Sequence, residues 1–124
     1  MRLLLDTHAL LWWLADEGLS QQARDAIADP ANTVAVSAAS AWEISIKTAL
    51  GKLRAPEDLE QQVEASGFTA MPISIAHGIA AGQLVRHHED PFDRMLIAQA
   101  FAEGLTIVTR DKRFDAYGVM LLPA

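Results

Sequence analysis

The sequence contains no cysteine. That excludes disulfides and thiolate metal centres, so any bound metal has to be held by oxygen or imidazole. It also suits a reducing compartment, and we expect a cytoplasmic protein. Positive charge is scarce: 10 Lys and Arg stand against 16 Asp and Glu, a net charge of −6. A module that grips nucleic acid by charge alone is as a rule basic. Passive nucleic-acid binding is therefore disfavoured, whereas an enzyme whose acids hold divalent cations is not. Long hydrophobic runs are missing too. Asp6 and His8 interrupt the first apolar stretch, and Ala9 to Ala15 gives only seven unbroken apolar residues. That is too short to span a bilayer or to form a secretory core, so neither a membrane span nor a leader is expected. There is no repeat, low-complexity tract or linker. With 124 residues, 51% of them hydrophobic, the chain reads as one domain over residues 1–124.

What is present is organised around Arg2-Leu3-Leu4-Leu5. Three consecutive leucines read as a strand buried on both faces, as in a parallel sheet covered by helices. The run ends abruptly in Asp6-Thr7-His8. Thr7 is expected to cap a helix over 8–15, and Ser20 a second one to Ala28. Thr33 to Val36 reads as a strand. Ser37 to Leu50 reads as a helix, with Ala39, Trp42, Ile46, Ala49 and Leu50 at helical spacing. Pro56 opens a helix over 57–65, and 68–71 is a strand. Ser74 caps a helix to Leu84, and Asp90-Pro91 launches another over 92–102. Strands are predicted at 105–109 and 119–122. Strands alternating with helices indicate a three-layer α/β/α sandwich with a mostly parallel central sheet.

Four acids fall just past a strand or at the head of the following helix: Asp6, Glu43, Asp93 and Asp111. Each has an ordinary explanation. Asp6 favours the positive end of a helix. Ser40-Ala41-Trp42-Glu43 matches a capping box, and Glu43 stands four residues before Lys47. Asp90 can cap a helix with Asp93 in its first turn, and Asp111 can cap a turn over 112–114. Together they mean more, because a parallel sheet brings its strand ends to one edge. Clustered carboxylates repel, and one must take up a proton unless a cation joins them. With oxygen donors and no thiolate, the expected cation is Mg²⁺ or Mn²⁺.

At this point the chain resembles a known family. Leu4-Leu5-Asp6-Thr7-His8-Ala9-Leu10-Leu11-Trp12 is similar to the opening motif of the VapC-type PIN-domain toxins. Ser40-Ala41-Trp42-Glu43-Ile44 resembles their second motif, the stretch from His87 to Ala100 their third, and Leu105 to Asp111 their fourth. The four run in order from end to end of the chain. Two acids, Asp90 and Asp93, compete for the third position, and Asp93, which precedes Arg94, is taken. The resemblance implies a PIN-like fold and a Mg²⁺-dependent ribonuclease, the toxin of a toxin–antitoxin pair. By carry-over Asp6 and Asp93 are the main metal ligands, with Glu43 and Asp111 completing the acidic pocket. The expected reaction is hydrolysis of RNA by a metal-activated water, leaving a 5′-phosphate and a 3′-hydroxyl. Thr7 and Thr109 are expected to support carboxylates or waters by hydrogen bonds. Arg94 and Arg110 are candidates for substrate phosphates, with surface ion pairs as the equal alternative. A cognate antitoxin and a homodimer are the implied partners.

Other residues suggest less. His87 and His88 beside Glu89 and Asp90 suggest a transition-metal site, but adjacent loop residues rarely ligate one ion. His8 is read as a surface or packing residue and His77 as structural. Trp12, Trp13 and Trp42 are read as core. Trp12 and Trp13 point about 100° apart on a helix, so one of them is expected at a protein contact. A phosphatase of the haloacid dehalogenase type needs an acid at position 8, where His8 stands. A receiver domain needs an acceptor Asp after a middle strand, where Ser37 stands. A non-catalytic interaction module is the remaining rival.

Overall fold

The computed structural model describes all 124 residues. Five strands form one sheet in the order β3-β2-β1-β4-β5: β1 (Arg2–Leu5), β2 (Thr33–Ser37), β3 (Thr69–Met71), β4 (Thr106–Thr109) and β5 (Leu121–Pro123). Every pairing is parallel, with Leu4 opposite Ala35 on one side and Ile107 on the other. Leu3, Leu4 and Leu5 are all fully buried. The pleat divides them. Leu3 and Leu5 enter a core with Ala9, Leu10, Ile27, Val34 and Val36, while Leu4 enters one with Leu96, Ile97, Ile107 and Phe114. Two cores on opposite faces of one sheet are what a run of leucines without alternation requires.

The helices that cover these faces are α1 (Thr7–Ala15), α2 (Gln21–Ala28), α3 (Ala38–Ala49), α4 (Leu59–Ala65), α5 (Ile75–Gln83) and α6 (Pro91–Glu103), with a 3-10 turn over Lys112–Tyr117. From β1 the chain moves outward to β2 and β3, then returns to the other flank of β1 as β4. The sheet therefore reverses its order between β1 and β4, and a crevice opens at the carboxyl ends of those two strands.

Several boundaries differ from expectation for identifiable reasons. Asp6, not Thr7, caps α1, its carboxylate accepting from the Ala9 N–H at 2.8 Å. Ser37 caps α3, so Ser40 and Glu43 are not a capping box. They lie one turn inside the helix on its buried side. The stripe of Trp42, Ile46 and Leu50 instead faces outward, Trp42 being 62% exposed. α4 starts at Leu59 rather than 57, and the last strand starts at Leu121 because the 3-10 turn runs on to Tyr117 and Gly118.

Candidate active site

The carboxyl ends of β1 and β4 place Asp6 and Asp111 side by side in the chain's switch-point crevice. α3 brings Glu43 and the head of α6 brings Asp93 and Asp90. These five acids line one open cleft of about 330 Å³ together with Thr7, His8, Trp12, Lys47, Arg110 and Arg113. All four predicted acids thus meet, and the alternative third acid, Asp90, meets them too.

Each acid is held differently. Asp6 is buried, with Oδ1 accepting from Ala9 N–H and Oδ2 from the Thr109 hydroxyl at 2.6 Å. Its burial outweighs these bonds and pushes its pKa up. Glu43, only 4% exposed, takes the Thr7 hydroxyl on Oε1 at 2.6 Å and Lys47 on Oε2. The hydrogen bond to Glu43 is the main reason that the Lys47 pKa is raised. Asp111 caps the 3-10 turn and pairs both oxygens with the Arg113 side chain, which holds its pKa low. Asp93 is the acid under most pressure. Burial, opposed by a hydrogen bond from His88 and increased by the charges of Asp90 and Asp6, pushes its pKa up to about 6. The two threonines thus each fasten a carboxylate across the gap between different elements.

The arginines part company. Arg110 borders the cleft, its guanidinium 4.0 Å over the Trp12 ring and bonded to the Gly18 and Ala124 carbonyls. Arg94 is not brought to the cleft. Its guanidinium points to the loop before α6 and donates to the carbonyls of Ala81, Leu84, Val85 and His88. No signal in the sequence separates these two uses of an arginine near an acid.

His88 is the residue that sequence reasoning set aside. Its neighbour His87 turns away, edge-on to Tyr117. Pro91 turns the chain into α6, and His88 folds back so that its Nε2 lies 2.7 Å from Asp93 Oδ2. Ligand atoms of His88, Asp93 and Asp111 all lie within 4.8 Å of one another. The clue available was the spacing of five residues across a helix-starting proline. The tryptophans also differ from expectation. Trp13 donates to Ser66 Oγ at 3.2 Å and packs on Phe68, and Trp12 lies under Arg110, so both have partners within the chain. The exposed one is Trp42, edge-on to Phe92. His77 forms a reciprocal cap with Ser74 and meets Glu103 at 3.0 Å.

The PIN-domain family model matches residues 3–120. Ribonuclease VapC22 of Mycobacterium tuberculosis is 30% identical over 122 residues, covering 92% of this chain and 90% of that protein. The DNA-bound VapBC structure from Salmonella typhimurium has a TM-score of 0.72 at 21% identity, covering 98% of this chain and 97% of the other. VapBC2 from Rickettsia felis, bound to a DNA fragment from its promoter, has a TM-score of 0.69 at 17% identity, covering 98% of each chain. At such identities these two structures speak for the fold alone, and it is the family match and the curated relative that assign membership. The chain belongs to the PIN-domain family and is of the VapC type.

Proposed function

We propose that this protein is an endoribonuclease dependent on Mg²⁺ or Mn²⁺, acting as the toxin of a toxin–antitoxin pair. The carrying observation is that Asp6, Glu43, Asp93 and Asp111, from four separate elements, converge in one cleft. The donor set fits a hard divalent cation: it is carboxylate oxygen apart from one imidazole, His88, whose Nε2 is taken up by Asp93, and burial together with the charges of Asp90 and Asp6 raises the pKa of Asp93, a strain that a cation would relieve. Asp6 and Asp93 would hold the ion, with Glu43 and Asp111 bordering it. When bound, such an ion supplies charge stabilisation at a phosphate and activation of water.

The chain's own residues do the rest. Thr109 and Thr7 keep the Asp6 and Glu43 carboxylates in place. Asp111, kept ionised by Arg113, contributes charge rather than proton uptake. Asp90 uses Oδ1 to cap α6, accepting from the Phe92 and Asp93 N–H groups, and so fixes the head of the helix that presents Asp93. Lys47 and Arg113 stand at the rim, where an RNA phosphate would meet them.

The antitoxin as partner is supported by the likeness to VapBC complexes and by the exposed stripe of Trp42, Ile46 and Leu50. A homodimer finds support in a second apolar patch, Ile75 and Ile79 on α5. A cytoplasmic location suits the lack of cysteine, and no helix is long and apolar enough to cross a membrane.

The test is cleavage of total RNA by the purified full chain, freed of antitoxin, in Mg²⁺ or in EDTA, beside Asp6→Asn and Asp93→Asn. Cleavage should need the ion, and each substitution should lower the rate by on the order of 100-fold or more. Cutting in EDTA, or variants as active as the parent, would overturn the proposal. A chain that cuts no RNA would favour a binding module instead.

A further inference from the structure

His88 is only 5% exposed, and its imidazole is the sole hydrogen-bond partner of the Asp93 carboxylate. The other ring nitrogen, Nδ1, faces the backbone N–H of Asp90 at 3.5 Å. A backbone N–H can only donate, so Nδ1 is the acceptor and a neutral ring carries its proton on Nε2. That proton lies on the line to Asp93 Oδ2. The ring edge packs against Phe114, at 72° between planes.

The loop that carries His88 is itself fastened. The His88 backbone N–H donates to the Tyr117 hydroxyl at 2.9 Å, and that hydroxyl donates to Val85 O at 2.9 Å. Arg94 binds Leu84 O at 2.8 Å and His88 O at 3.2 Å. Arginine and tyrosine therefore fix the backbone, the backbone and Phe114 fix the ring, and the ring fixes one carboxylate oxygen. Asp93 Oδ1 accepts no hydrogen bond and stays open.

We propose that His88 is a positioning residue for Asp93: by donating from Nε2 to Oδ2 it sets the carboxylate so that Oδ1 is the oxygen presented to a divalent cation. This rests on the reading of Asp93 as a metal ligand. Direct ligation by His88 fits less well, since the nitrogen aimed at the cluster already carries the proton given to Asp93, and a hard cation favours oxygen. Partners that orient a ligand in this way are worth about 10- to 100-fold in metal affinity.

The experiment is titration of Mn²⁺ into the antitoxin-free full chain, with free Mn²⁺ followed by electron paramagnetic resonance and folding checked by circular dichroism. The variants are His88→Leu, His88→Gln, His88→Asn and Asp93→Asn. A glutamine amide reaches to where Nε2 stands and still donates; an asparagine amide falls short. We expect His88→Leu and His88→Asn to weaken Mn²⁺ binding about tenfold or more, and His88→Gln to restore most of the loss. If His88→Leu does not fold, the glutamine–asparagine pair decides. Parent-like affinity in the leucine or asparagine variant, or a glutamine variant as weak as the asparagine one, would overturn the role. Asp93→Asn binding as well as the parent, or a parent that binds no Mn²⁺, would overturn the metal reading and this role with it. Loss in Asp93→Asn together with parent-like His88 variants would remove only the role of His88.

Discussion

A carboxyl group with a folded-state pKa near 6 makes the protein's stability depend on pH in a definite direction. Unfolded, Asp93 titrates near 3.8; folded, burial and its acidic neighbours raise it to about 6. Between those values the folded state holds more protons than the unfolded state, so stability falls as pH rises through the window. Asp6 contributes with the same sign, and Asp111, whose pKa is lowered, with the opposite one. Urea unfolding in EDTA should therefore show the Asp93→Asn variant more stable than the parent at pH 7.5, by on the order of 1 kcal/mol, with a smaller gain at pH 5. An unchanged difference between the two pH values would contradict this. Thr7→Val should act differently. It removes the hydroxyl from Glu43 in a buried setting and should cost about 1–3 kcal/mol in the same assay. At this scale the sequence was legible where an acid follows a strand, as at Asp6 and Asp111. It was illegible where a side chain's direction decides: nothing in the string of letters tells Arg94, turned to a loop, from Arg110, turned to the cleft.

The element that shows best how local rules are overridden is α3. Its Ser40 and Glu43 match a helix-start pattern, yet the helix starts at Ala38 with Ser37 as its cap, because β2 continues to Ser37 and the chain must turn there. The pattern then serves the interior, with Glu43 held under the cleft by Thr7 of another helix. Helical spacing grouped Ala39 with Trp42, Ile46, Ala49 and Leu50, whereas burial follows the side of α3 that meets α1 and α6 and takes in only Ala39 of the five. The loop between α5 and α6 makes the converse point. Its letters give no sign of a fixed backbone path, yet Arg94 satisfies the carbonyls with which α5 ends. Arg94→Met keeps the aliphatic stem and orphans those carbonyls. It should lower stability by about 1–3 kcal/mol and speed amide exchange across residues 84–90 beyond the uniform increase that the global loss brings to core strands such as β1. Slow exchange in that loop of the variant would show that the arginine does not hold it.

The whole molecule was the most legible level. Five strands in alternation with helices, and a central strand buried on both faces, follow from Leu3-Leu4-Leu5 and from the punctuation by Ser, Pro and Gly. What the pattern could not supply is which helix faces have no partner within the chain. Leu50→Glu should shift stability by no more than about 0.5 kcal/mol, since its side chain is already exposed, and Trp42→Glu by no more than about 1.5 kcal/mol, the worth of its contact with Phe92. The same substitutions should weaken co-purification with the antitoxin. A large loss of stability would mean that α3 packs elsewhere than described.

The central position of β1 has a consequence for the order in which this protein is made. The first strand cannot finish its pairing until the fourth one docks beside it, and the Asp6 carboxylate waits for a threonine 103 positions downstream. A ribosome therefore has to release the chain through Asp111 before the four acids can assemble. If the mature molecule destroys RNA, its growing chain is harmless to the machinery synthesising it, and an inhibitor translated beforehand has the full interval of elongation to be in place.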